Sequence, residues 1–163
     1  MIGNPLILGI DPGTSTGLAL VDIREHKIIM QRTVNKAVVL EFIGTLLDDY
    51  PNGAIHGAVC QTPIFESGKT PRWNPSPVSL AKNAAISHEI IGYLKGRGIN
   101  VQVRHPQRGT GMKMDENMFA RVYGGEVKRD KNGKPVVWLD GKRVSEHARD
   151  AVNLAMSWRK DGG

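Results

Sequence analysis

The chain has 163 residues, 40% hydrophobic and 23% charged, with a formal net charge of +6. That length suits one domain burying about 70% of its unfolded-chain surface, and the composition excludes disordered, collagen-like and disulfide-stapled classes. Cys60 is the only cysteine, so no intrachain disulfide can form; no apolar stretch nears the roughly 20 residues of a membrane span, and the N-terminus lacks a signal-peptide pattern. A single domain over residues 1–163 in a cytoplasm-like compartment is expected.

Leu6-Ile7-Leu8-Gly9-Ile10 is a continuous apolar run of the kind found in a strand covered on both faces, and Asp11-Pro12-Gly13 stops it. Thr16 to Val21 and Lys27 to Thr33 predict two more strands. From Val38, the apolar positions Val39, Phe42, Ile43, Leu46, Leu47 and Tyr50 recur at spacings of three and four, which defines an amphipathic helix ended by Pro51-Asn52-Gly53. Ala54 to Cys60 predicts a fourth strand, and the Pro-, Gly- and Ser-rich stretch from Gln61 to Pro77 a loop. Pro77 to Gly96 follows as a helix with a stripe of Leu80, Ala84, Ser87, Ile91 and Leu94, while Ala81, Ala85 and Gly92 are small enough for a second helix to approach. A fifth strand (Ile99 to Arg104), a Pro/Gly loop (Pro106 to Gly111) and a short helix (Met114 to Tyr123) come next. A basic hairpin-like stretch then turns at Asn132-Gly133 and Asp140-Gly141, and Ser145 can cap a last helix running to about Arg159. The order β-β-β-α-β-α-β-α implies an α/β fold with a mixed five-stranded sheet, an antiparallel meander first and helical crossovers later.

Three places can carry chemistry. Asp11 ends the first strand beside a tight turn, where its carboxylate stands at the sheet edge; an Asp-Pro-Gly turn alone would also explain it. Gln61 ends the fourth strand as Asp11 ends the first, so the two can converge, although an uncharged amide is a poor ligand for a hard cation. His147 and Asp150 share one face of the last helix, continued by Ala151, Leu154 and Trp158, so an inward stripe begins with two possible metal ligands. Glu146 points elsewhere and suits the helix dipole. Between Arg104 and Arg143, ten Lys/Arg face five Asp/Glu, which suits an anionic partner as well as a solvated loop region.

The string Ile7-Leu8-Gly9-Ile10-Asp11-Pro12-Gly13 with Thr16-Gly17-Leu18-Ala19 resembles the opening motif of RuvC Holliday junction resolvases, and His147-Ala148-Arg149-Asp150-Ala151-Val152-Asn153-Leu154-Ala155 resembles their closing motif. Val59-Cys60-Gln61-Thr62-Pro63-Ile64-Phe65 occupies the place of the family's strand-ending Glu and aromatic loop, and Pro106 to Lys113 that of its basic Gly-containing loop. The resemblance implies a ribonuclease H-like fold with a basic hairpin-like insertion before the last helix. It also implies a homodimer paired through Pro77 to Gly96, and Mg²⁺-dependent hydrolysis of four-way junction DNA with Asp11, Gln61, His147 and Asp150 around two Mg²⁺ ions that Mn²⁺ can replace. Phe65 or Trp73 would stack on bases at the junction, and Lys69, Arg72, Arg108, Lys113, Lys128, Arg129, Lys131 and Lys134 would meet phosphates.

Gln61 stands where the family carries an acid, an isosteric change that would impair cleavage while sparing fold and DNA binding. The chain is then an inactivated form of such an enzyme or, alternatively, a non-catalytic junction-binding protein. The opening Asp-x-Gly-Thr-x-Thr-Gly also suits actin-like ATPases and sugar kinases, but those need two such domains and 163 residues cannot supply both.

Overall fold

A computed structural model describes residues 5–51, 53–62, 77–105 and 114–160. Its main sheet has the order β3-β2-β1-β4-β5, built from β1 (Leu6–Asp11), β2 (Ser15–Asp22), β3 (Lys27–Asn35), β4 (Ile55–Gln61) and β5 (Val101–Arg104). The β1–β2 and β2–β3 pairs are antiparallel, whereas β1–β4 and β4–β5 are parallel, so the sheet is mixed as the element order requires. Helices α1 (Val39–Asp49), α2 (Pro77–Gly96), α3 (Glu116–Tyr123) and α4 (Glu146–Met156) flank it. No helix among the described residues is long and apolar enough to cross a membrane.

The apolar run in β1 is continuous because both faces of that strand are covered. Leu8 and Ile10 join Leu18, Leu20, Ile43, Leu47, Ile90 and Leu94 in a core beneath α1 and α2. Ile7 joins Ala19, Val21, Val59, Phe119 and the apolar side of α4 on the opposite face. The inward stripe of α2 is Ser87, Ile90 and Leu94, all fully buried, so Ile90 takes the central place that the sequence spacing gives to Ile91. Ala81, Ala85 and Gly92 remain exposed.

The hairpin-like stretch is a second, three-stranded antiparallel sheet of β6 (Glu126–Arg129), β7 (Pro135–Leu139) and β8 (Lys142–Val144). Its Val137, Leu139 and Val144 belong to the α4-side core, which fixes the small sheet against the large one. The Asp140-Gly141 turn has positive φ at both residues (51° and 76°), the backbone of a two-residue type I′ hairpin.

Helix α4 crosses the sheet and is held at both ends. Its N-cap Ser145 accepts from Ala148 N–H and exchanges a short hydroxyl–hydroxyl hydrogen bond with Thr33 of β3. At the other end, Arg104 of β5 donates to the Ser157 carbonyl at 2.8 Å, while the Gln102 side chain donates to the Arg159 carbonyl and accepts from its N–H. The helix stops at Met156, short of Arg159, because Ser157 closes the last turn with its N–H on the Asn153 and Leu154 carbonyls and its hydroxyl on Leu154. Between these ends no side chain separates helix from sheet at two points. A Cβ on Gly9 would fall inside the Ala151 carbonyl oxygen, and a Cβ on Gly17 inside that of His147.

Gly9→Ala or Gly17→Ala should therefore lower stability by about 3 kcal/mol, since backbone must move to admit one methyl group. Gly92→Ala, which meets nothing within 4 Å on an exposed turn of α2, should raise it by about 0.5–1 kcal/mol. Urea unfolding of the three variants checks both signs.

Candidate active site

Asp11 closes β1 opposite Gly17 of β2, and the turn between them is tied by Thr16, whose buried hydroxyl donates to the Gly13 carbonyl at 2.9 Å. The turn thus holds the end of β1 in one place. Alternation along β1 sends Ile10 into the α1–α2 core and Asp11 to the α4 side, where Gly17 lets the first turn of α4 come down onto the sheet. There His147 Nδ1 lies 3.3 Å from Asp11 Oδ2, with side-chain exposures of 51% and 15%. Nδ1–H donates to the carboxylate, leaving Nε2 for a second partner. His147 is the second residue of α4, so the Asp11 carboxylate meets the helix end at which backbone dipoles favour negative charge.

Gln61 is brought alongside by register: Ile10 pairs with Cys60 across the parallel β1–β4 ladder, so Asp11 and Gln61 occupy neighbouring strand ends on the same face. Gln61 is partly buried, and its backbone carbonyl lies 3.2 Å from the fully buried Ser87 hydroxyl of α2. Asp150 follows His147 by three residues on α4 and is also partly buried. Among the described residues no three His, Cys, Asp or Glu side chains are grouped closely enough to hold a metal ion. Asp11 and His147 are in contact, Gln61 ends the strand beside Asp11, and Asp150 lies one turn beyond His147 on α4; Gln61 adds no acid to the count.

The donor set nonetheless fits an oxygen-preferring divalent cation. Two carboxylates, an amide oxygen and an imidazole nitrogen are the donor types that suit an ion which keeps several waters and takes its remaining ligands from a phosphate. Thiol chemistry does not fit. Burial, helped by the Asp11 charge, pushes the Cys60 thiol up to about 12.

Of the expected DNA-contacting residues, Lys128 and Arg129 lie on β6 and Lys131 and Lys134 in the turn that follows, all exposed. Phe65, Lys69, Arg72, Trp73, Arg108 and Lys113 fall outside the described residues. Two residues near the site carry no signal that the sequence spacing picks out. Thr62, directly after Gln61, is buried, and its hydroxyl oxygen has no hydrogen-bond partner among the described residues. Arg104 pairs with Gln61 across β4–β5, and its guanidinium is spent on Gln102 and Ser157 rather than on the site. Only the strand register, once known, brings Arg104 to this edge.

No protein-family model matches the chain, and no curated protein matches it. Among solved structures, Thermus thermophilus RuvC in complex with a Holliday junction substrate superposes with a TM-score of 0.55 over 93% of this chain and 90% of that one, at 16% identity. The chain shares the fold of that RuvC. A fowlpox virus resolvase solved with Holliday junction DNA (TM-score 0.42, 16% identity, 71% of each chain) is a weaker likeness. So is the magnesium-bound large terminase nuclease of thermophilic phage G20c (0.44, 13%, covering 94% of this chain and 80% of that one). In the RuvC-like frame, the opening and closing motifs supply the β1 end and the first turns of α4.

Cys60 should resist thiol reagents at pH 8 until the protein unfolds. Its folded-state value lies above the ordinary 9.0, so the unfolded chain ionises first and stability should fall as pH rises from about 9 towards 12. Labelling kinetics against urea, and unfolding midpoints across that range, check this.

Proposed function

We propose that the chain is a structure-specific DNA endonuclease acting on four-way junctions, by two-metal phosphodiester hydrolysis, and that Gln61 leaves it catalytically impaired. The observation that carries this reading is the Asp11–His147 contact at the end of β1, on a RuvC-like fold, with Gln61 on the adjoining strand end and Asp150 one turn beyond His147 on α4. The RuvC structure it superposes on was solved with a Holliday junction, which supports the substrate class.

Asp11, Asp150, His147 and Gln61 would hold two Mg²⁺ ions, which when bound supply positive charge to both the attacking and leaving oxygens of an in-line displacement at phosphorus. Asp11 is the anchoring carboxylate, kept at the strand end by the Thr16 turn and oriented by His147 Nδ1–H. Asp150 adds the second negative charge from α4. Gln61 presents an amide oxygen of the right reach but no charge. A carboxylate there would add a unit negative charge to the cation site; a unit pair at about 4 Å with an effective dielectric near 20 is worth about 4 kcal/mol, and less after desolvation. Half of that is roughly a thirty-fold change in occupancy. Lys128, Arg129, Lys131 and Lys134 would neutralise phosphates, joined by Phe65, Lys69, Arg72, Trp73, Arg108 and Lys113. A homodimer through α2, whose exposed Ala81, Ala85 and Gly92 permit close helix approach, would set two sites on one two-fold-symmetric junction.

Labelled four-way junction and matched duplex, incubated with the parent chain and with Gln61→Glu in Mg²⁺, test this. The parent should bind junction more tightly than duplex and nick it slowly; Gln61→Glu should raise nicking by about thirty-fold or more, and Mn²⁺ should rescue part of the parent's activity. Full-rate cutting by the parent, or an inert Gln61→Glu that still binds junctions, would remove Gln61 from the cation site, and the second result favours a non-catalytic junction binder. Sedimentation at micromolar protein should show a dimer; a monomer both free and on DNA rejects the α2 pairing.

A further inference from the structure

We infer that the outer face of the β6–β7–β8 sheet, centred on Trp138 between Lys128 and Arg143, is a docking surface for a DNA strand with unpaired bases. Along β7, Val137 and Leu139 enter the α4-side core, so Trp138 between them is directed to the opposite face. Among the described residues Trp138 belongs to neither core cluster and is only partly buried. Register places Glu126 and Arg143 directly beside it on either neighbouring strand and Lys128 diagonally, with Lys128 Nζ 5.5 Å from the indole centroid and 3.8 Å from the Glu126 carboxylate. An indole with one cation over its ring and a second at the adjoining position is therefore held on the outer face of the small sheet, next to the buried Val136 on the same face.

Charge identifies the occupant. Residues 126–143 carry six Lys/Arg and three Asp/Glu, half of the chain's net +6 in a short stretch. One of those acids is turned inward: the Asp130 carboxylate accepts the backbone N–H groups of Lys134 and Asn132, which hold its pKa below the ordinary value. That arrangement pins the β6–β7 turn, with Arg129 donating to the Gly133 carbonyl at 2.7 Å, and leaves Lys131 and Lys134 exposed at the tip. A polyanion that also offers flat apolar rings satisfies both features. Phosphates meet the cations, and a base stacks on the indole. A paired base inside a duplex has both faces occupied by its neighbours, so the ring selects a strand whose bases are free. Base stacking on this surface needs none of the cation chemistry proposed for Asp11 and its partners.

The test uses the whole chain in EDTA, with fluorescein-labelled oligothymidylate of about 16 nucleotides and a blunt duplex, read by anisotropy at several salt concentrations. Trp138→Leu should weaken oligothymidylate binding about ten-fold and duplex binding much less, while Trp138→Phe, which keeps a ring, should retain most of the parent's affinity. The double variant Lys128→Gln/Arg143→Gln should flatten the salt slope by about 1.4, as two fewer counterions are displaced from a single strand. Matched thermal midpoints confirm that the variants fold. Equal oligothymidylate binding by parent and Trp138→Leu, or equal losses on strand and duplex, overturns the proposal. A parent that binds four-way junction but not oligothymidylate overturns this surface alone and leaves the nuclease reading standing. Trp138-dependent strand binding by a Gln61→Glu form that never cuts does the reverse.

Discussion

The contact on which the molecule depends is backbone against backbone: α4 rests on β1 and β2 at Gly9 and Gly17 with no side chain between. A helix packed on a sheet is ordinarily separated from it by a layer of side chains. Removing that layer at two points lowers the first turns of α4 to the level of the strand ends, and this lets the His147 ring reach the Asp11 carboxylate. Ala148, Ala151 and Ala155, all fully buried, extend the same economy of volume along the helix. A larger residue at any of these places would lift the helix and separate the pair, whatever the chemistry of the pair itself.

The remaining contacts of α4 act on its direction. Thr33 and Ser145 fix one end over β3, and Gln102 and Arg104 fix the other beyond β5, so the helix cannot pivot about its glycine contacts. Burial, together with the neighbouring Arg159 charge, lowers the pKa of the Arg104 guanidinium. Its hydrogen bonds to Gln102 and to the Ser157 carbonyl are the compensation that a partly buried cation requires. The Arg149–Glu116 ion pair at 3.3 Å, largely shielded from solvent, joins α4 to α3 in the same sense. From the opposite face, the Ser87 hydroxyl reaches the Gln61 carbonyl, so the strand end that carries Gln61 is backed by α2.

Much of this could be read from residue order. A continuous apolar run gave β1 as a doubly covered strand, spacings of three and four gave α1, and the resemblance carried by the opening and closing motifs put Asp11 and His147 in one place. The mixed topology followed from three strands preceding the first helix. What the order of residues conceals is contact without periodicity. Gly9 is just another small residue within an apolar strand until a helix lies over it, and Gly17 passes for a turn glycine. Ile90 and Ile91 are equally apolar, and only the position of α2 over β4 decides which one is buried. The basic stretch before α4 announced its charge but not its shape: three strands whose inner valines join the core turn an apparent insertion into a part of the fold, and Trp138 gains its setting only from their register.

The Asp11–His147 contact spans 136 positions in sequence. Closing so long a loop costs entropy that the burial of α4 on the sheet must offset, so the site cannot exist before α4 has docked. During synthesis the β1–β2–β3 meander can pair as soon as it leaves the ribosome, but the face with Gly9 and Gly17 stays uncovered until α4 has been made. A nascent chain extending only through β8 therefore possesses a sheet and no site. Whatever activity resides here is withheld until translation of α4 is complete, so interrupted products carry the strand ends without the chemistry.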